Sequence, residues 1–164
     1  MLDVHVLQLS STPREVYKRC LDSIEAAMIP GVSVHFLQGI EGDMGTARYH
    51  AFRRGHQPYV GYIDDDDAVD PTIFSKILAV LEQAPDAVFT QERVIHPDGR
   101  VVEHTLPHNM VVVKRELALA VPYKKLNTMG DQALRASLMG KNVITIPEPL
   151  YHYYPTGRSL EYRS

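Results

Sequence analysis

Apolar positions along this chain recur with two periods, and the switching between them predicts the order of its elements. Val4 to Leu9 alternates as a first strand, and Ser10-Ser-Thr-Pro13 supplies a cap with proline at a helix start. Val16, Cys20, Ile24 and Met28 then stand four apart, the apolar stripe of a helix that Pro30-Gly31 ends. Val32 to Leu37 is a second strand, followed by a loop loosened by Gly39, Gly42 and Gly45. A short helix is expected from Thr46 to Arg54, closed by Gly55. The run Tyr59-Val-Gly-Tyr-Ile63 is the third strand, and Asp70-Pro71 opens a helix whose buried stripe is Ile73, Ile77 and Leu81. Strand and helix alternate throughout this stretch, the order of a parallel sheet covered by helices.

The second half reads differently. Ala87 to Gln91 is a strand, and Val94-Ile95 and Val101-Val102 flank His96-Pro-Asp-Gly99, a hairpin turn signal. Met110 to Val113 is a further strand, Asp131 to Met139 a helix, Val143 to Ile146 a strand, and the tail is rich in tyrosine and proline. The fold class expected is α/β, one Rossmann-like domain over residues 1–164 with a mixed sheet whose N-terminal part is parallel. In such sheets ligands bind beyond the carboxyl ends of the strands, so the Ser10–Thr12 loop, the Gly39–Gly45 loop and the end of the third strand should meet at one crevice.

Composition narrows the function classes. At 164 residues the chain has room for one domain with a real core. Its net charge of −3 offers no broad basic surface for nucleic acid, and the pairs Arg53-Arg54, Lys114-Arg115 and Lys124-Lys125 are expected on solvated faces. A lone cysteine, Cys20, excludes an internal disulfide and a cysteine-based zinc cluster, and its spacing predicts a buried core position. The start lacks a charged leader and no apolar run reaches the length of a membrane span, so a cytoplasmic protein is expected. No motif specifies an oligomeric state.

Chemistry concentrates where the third strand ends in Asp64-Asp-Asp-Asp67. Four adjacent carboxylates at the rim of a core repel one another, and a hard divalent cation would relieve that repulsion. In an extended chain Asp64 and Asp66 share one face while Asp65 and Asp67 share the other, which makes Asp64 and Asp66 the first candidates for metal ligands. A solvated acidic loop is the plainer alternative. A helix-loop-helix calcium site fails, because Val69 and Ser75 stand where its glycine and its bidentate glutamate belong. An Asp-x-Asp phosphatase of the haloacid-dehalogenase type is an enzymatic alternative, with Asp64 as nucleophile. In that class, however, the motif follows the first strand.

Gly45-Thr-Ala-Arg-Tyr49, Gly55, the strand Tyr62-Ile-Asp-Asp-Asp-Asp67 and Pro71 together resemble the nucleotide-sugar half of family-two glycosyltransferases of the GT-A fold. Met129-Gly-Asp-Gln-Ala-Leu134 is similar to the acidic motif that opens a late helix in that family, and Pro149-Leu-Tyr-His-Tyr-Tyr154 to its closing aromatic strand. The resemblance departs in two places. Family members usually insert a helix and a strand between the second strand and the Ala-Arg segment, and here only Gly39 to Asp43 is left for them. The arginine usual in the closing strand also lacks a clear counterpart, Arg158 being nearest.

The resemblance implies metal-dependent transfer of a sugar from a nucleotide-diphosphate donor, a UDP-sugar, to an acceptor hydroxyl, with inversion. It divides the chain into a nucleotide-sugar half, 1–70, and an acceptor half, 71–164. Asp131 would be the catalytic base, although a carboxylate at a helix start also favours the macrodipole whatever the function. The donor would be held by Ser11, Thr12, Arg14, Glu41, Asp43, Thr46, Arg48, Asp64 and Asp65. Of these, Thr12 is alternatively a helix cap and Arg48 an exposed helix arginine. Asp66, Asp64 and His152 would bind Mn2+ or Mg2+, with a partly buried strand histidine as the alternative for His152. His108, Asn109 and Gly130 would contact the acceptor. A binding module without turnover is the non-enzymatic alternative.

Overall fold

The computed structural model of the chain describes residues 1–104, 110–122 and 130–155, without the side chain of Asp131. Its elements run β1 (Leu2–Gln8), α1 (Arg14–Ala27), β2 (Val32–Gln38), α2 (Met44–Ala51), β3 (Tyr59–Asp64), β4 (Ala68–Val69), α3 (Ile73–Leu81) and β5 (Ala87–Ile95). They continue with β6 (Val101–His104), β7 (Val111–Lys114), α4 (Arg115–Ala120), α5 (Gly130–Ser137) and β8 (Val143–Tyr153). All these strands join one mixed sheet in the order β2-β1-β3-β7-β5-β8-β4, with β6 paired to β5 as the predicted hairpin. The N-terminal trio is parallel, with His5 opposite both His35 and Tyr62, as the α/β reading required.

Two layers of helix cover this sheet because its strands are apolar on both faces. Val4, Val6, Ile63, Val88 and Tyr151 pack with Cys20, Ile24, Phe74 and Ile77 on the side of α1 and α3. Val60, Tyr62, Phe89 and Val113 pack with Phe52, Ala118, Leu134 and Leu138 on the side of α2, α4 and α5. A smaller cluster of Leu7, Ala47 and Ala51 seats α2 on β1.

Strand β4 and helix α4 go beyond the sequence reading, and of the boundaries that shift, three do so for reasons the structure shows. Helix α3 begins at Ile73 rather than at Pro71, because the Asp70 carboxylate accepts from the amide (2.9 Å) and hydroxyl (2.6 Å) of Thr72 and closes a turn there first. Helix α1 is preceded by Pro13 as its cap residue, and no side chain caps it, so Thr12 is free for another role. The predicted strand at Val143–Ile146 and the aromatic tail are one element, β8. Its register against β5 slips between Thr90 and Glu92, where the partner moves from Ile146 to Tyr151. Pro147 and Pro149 stand in that slip, where missing N–H donors cost least.

The far end of β1 carries a buried ionic knot. Asp3 is 1% exposed and accepts from His35 Nε2 (2.7 Å), the Gln57 amide (2.8 Å) and the Arg115 guanidinium. Arg115 also donates to the carbonyls of Phe52, Arg54 and Gln57, tying the loop after α2 to the start of β1. The Lys114-Arg115 pair, expected on a solvated face, is therefore structural: Lys114 pairs with Asp86 at 2.8 Å. Gly55 sits inside this knot at φ +81°, and a Cβ there would run into the Asp3 carboxylate.

Candidate active site

The four aspartates leave β3 through a turn in which the Asp67 amide donates to the Asp64 carbonyl at 3.2 Å. Alternation survives the turn: Asp65 and Asp67 are buried, while Asp64 and Asp66 are only partly covered. The inward pair is structural. Asp65 accepts from the Leu9 amide at 2.7 Å and from the Thr12 hydroxyl, which clamps the first loop onto the strand end. Burial nevertheless pushes its pKa up, with help from the Asp64 charge. Asp67 accepts from the Tyr151 hydroxyl (2.8 Å) and the Tyr154 amide (2.9 Å), and the same Tyr151 oxygen accepts from the Asp64 amide at 3.2 Å. Burial and the charges of Asp64 and Asp66 hold the Asp67 carboxyl well above its ordinary range.

The outward pair differs in its surroundings. The Asp64 carboxylate faces the Arg48 guanidinium at 3.4 Å and keeps 31% of its side chain exposed. Asp66 is pushed up to about 6 by burial and by the neighbouring charges of Asp64 and Asp65, with Arg19 opposing. This is surplus negative charge in a half-covered turn, the donor chemistry a hard divalent cation fits. Among the described residues no three His, Cys, Asp or Glu side chains converge on one point, so a cation here would complete its shell with water and ligand oxygens. His152 does not join the pair. It stands on β8 opposite Ala68 and Arg93 and forms no three-residue ligand group with Asp64 and Asp66, and burial lowers its pKa.

The three loops converge as the sheet topology demands. Glu41 Oε1 accepts from Ser10 Oγ (3.1 Å) and the Ser11 amide (2.9 Å), linking the loops after β1 and β2. Asp43 caps α2 by accepting from the Thr46 amide at 3.0 Å, and the Thr46 hydroxyl and amide hold its carboxyl below the usual range. Both residues spend their carboxylates on shaping the second loop. Arg14 is exposed at the first turn of α1. Arg48 is 1% exposed, which removes the solvated-helix alternative: its Cζ lies 3.7 Å from the centre of the Tyr62 ring. Gly130 opens α5, whose first turn carries Asp131, and this helix packs on the same face of the sheet as Arg48 and Tyr62. His108, Asn109 and Arg158 lie outside the described residues.

Sequence reasoning passed over three contributors. Tyr62 supports Arg48, and its position two residues before Asp64 was the only signal for a shared face. Arg19 lays its guanidinium over the Tyr154 ring at 3.5 Å and donates to the Asp66 carbonyl. Nothing in the α1 stripe marks it, since it sits beside the apolar positions. Tyr151 bridges two aspartates from a strand far along the chain, and the tyrosine cluster of the tail was its one trace.

A mixed sheet with a parallel N-terminal part, helices on both faces and an acidic strand end under three loops defines a GT-A-type domain. Over residues 18–141 the sequence matches the profile described as Glycosyl transferase family 2, and the chain belongs to that family. It is similar in structure to S. aureus TarS 1-349, with a TM-score of 0.72 at 14% identity over 93% of this chain and 60% of that one. The same protein in complex with UDP matches at 0.73 and 13% identity, covering 97% and 62% of the two chains. The bifunctional IspDF from Campylobacter jejuni matches at 0.56 and 12% identity, covering 88% and 49%. At these identities the likeness is one of fold, and the chain spans about three fifths of the TarS 1-349 structures. No curated protein matches the sequence.

Proposed function

We propose that this chain transfers a sugar from a uridine-diphosphate donor to an acceptor hydroxyl, with a divalent ion and with inversion. The observation that carries the reading is the meeting of three strand-end loops around Asp64 and Asp66 in a family-two chain. TarS, similar in fold, has been crystallised with UDP and with UDP-GlcNAc, which supports a uridine-linked donor for this chain. Asp66, with Asp64 beside it, would hold Mn2+ or Mg2+, which would supply Lewis-acid stabilisation of a leaving diphosphate.

The protein's own residues have separate tasks in this reading. Asp65 and Asp67 keep the strand end rigid from within. Glu41, Asp43 and Thr46 shape the loop over the donor, Ser11, Thr12 and Arg14 border it from the first loop, and Arg48 holds Asp64 in place. Asp131 accepts the proton of the attacking hydroxyl. Residues 1–70 serve the donor and residues 71–164 the acceptor, with Gly130, His108 and Asn109 on the acceptor side. A cytoplasmic setting belongs to the same reading; among the described residues no helix is long and apolar enough to cross a membrane.

Melting temperatures measured with nucleoside diphosphates, each with and without MnCl2, test this. Binding to the native state raises apparent stability, so UDP with Mn2+ should shift the transition more than either alone. An equal UDP shift in Asp66→Ala refutes the metal role. Asp131→Asn should retain the shift and lose transfer, and full activity in that variant removes Asp131 as the base.

The short connection between β2 and α2 favours a second reading, a binding module without turnover. It predicts the same shift and no release of sugar from any UDP-sugar.

A further inference from the structure

We propose that Tyr62 is a positioning residue for Asp64, acting through Arg48; the proposal rests on the donor-binding reading above. β3 alternation places Tyr62 and Asp64 on one face, the face that α2 and α5 cover. Arg48, from the middle of α2, enters the gap above them. Its guanidinium lies over the Tyr62 ring, Cζ 3.7 Å from the centroid, and its Nη2 faces Asp64 Oδ1 at 3.4 Å. Tyr62 is 2% exposed and Arg48 1%, so neither side chain has room to swing.

A cation on an aromatic face is held by the ring quadrupole, and the hold strengthens once water is excluded. The guanidinium in turn fixes the carboxylate by a charge-assisted contact, leaving its remaining surface open to a ligand. Ring, guanidinium and carboxylate thus form a stack whose last member alone reaches the cleft. The ring is the working part. Among the described residues the Tyr62 hydroxyl has no hydrogen-bond partner, so the phenol oxygen does nothing that the stack needs. The charges acting on the ring are those of Arg48, Asp64 and Arg135 on α5.

The test is the dissociation constant for UDP at saturating MnCl2. Tyr62→Leu removes the ring and should weaken UDP binding about tenfold, the usual effect of losing a partner that orients a site residue. Tyr62→Phe should restore binding to within about twofold of wild type, because the ring remains. Arg48→Lys keeps the charge but not the flat stacking group, and should resemble Tyr62→Leu. It carries the comparison if the leucine variant does not fold.

A cycle with Asp64→Ala separates positioning from general packing. In that background Arg48→Lys and Tyr62→Leu should cost nothing more, and a full additional loss overturns the proposal. Equal UDP affinity in wild type, Tyr62→Leu and Arg48→Lys overturns it too and leaves the donor reading standing. A wild-type chain that ignores UDP and Mn2+ brings down the donor reading, and the positioning role with it.

Discussion

Replacing Arg115 by methionine should unfold this protein far more readily than its place in a short helix suggests. The substitution keeps a long apolar stem and deletes a guanidinium that serves four acceptors: the Asp3 carboxylate and the carbonyls of Phe52, Arg54 and Gln57. Asp3 is 1% exposed, so water cannot replace the lost partner without opening the knot. Removing one member of a buried charge pair costs about 3–5 kcal/mol, because the remaining charge stays desolvated. In a chain of this size each kcal/mol moves the transition by about 2–4 °C, so a fall of roughly 6 to 20 °C is expected. Urea titration followed by circular dichroism measures the free energy, and a melting scan measures the temperature.

Acidity gives a second handle on the same knot. Burial opposes ionisation of Asp3, but hydrogen bonds from His35 and the Gln57 amide, with the charges of His35 and Arg115, outweigh it and lower the pKa. A carboxylate depressed in this way contributes stability that is complete above its unfolded value of about 3.9 and fades as pH falls through the folded value. In Arg115→Met the buried carboxylate keeps His35 and the Gln57 amide but loses its guanidinium partner, and protonation then relieves the defect. The gap between wild type and variant should therefore be widest near neutrality and narrow in acid. A loss under about 1 kcal/mol at neutral pH, or a gap of constant size down to acid unfolding, would refute the role given to this pair.

Two further outcomes follow from the acidic turn. Tyr151→Phe deletes the hydroxyl that joins the Asp64 amide to the Asp67 carboxylate, and should destabilise the chain by about 1–3 kcal/mol in urea; an unchanged midpoint would show that Asp67 is satisfied without it. The Cys20 thiol is pushed up to about 12 by burial and by Asp65, Asp67, Asp64 and Asp66, so iodoacetamide at pH 8 should label it only as fast as the chain unfolds. Labelling at the rate of a free thiol in buffer would contradict that environment.

Apart from β4 and α4, the order of strands and helices was legible in local pattern, as were the parallel trio, the hairpin at His96–Gly99 and the acidic strand end. Each depends on residues near one another in the chain: a period of two or of four, a turn dipeptide, a block of like charge at the edge of an apolar run. Only the tertiary structure sorted the members of that block. Asp65 and Asp67 are committed to Leu9, Thr12, Tyr151 and Tyr154, partners that the sequence scatters from the first loop to the last strand. The same holds for Asp3 and His5, polar positions of an alternating strand that would face water if α2, its following loop and Arg115 did not close over them. Burial on the second face of a sheet is decided by what arrives from elsewhere in the chain. A periodic pattern records which residues share a face, and cannot record what covers it.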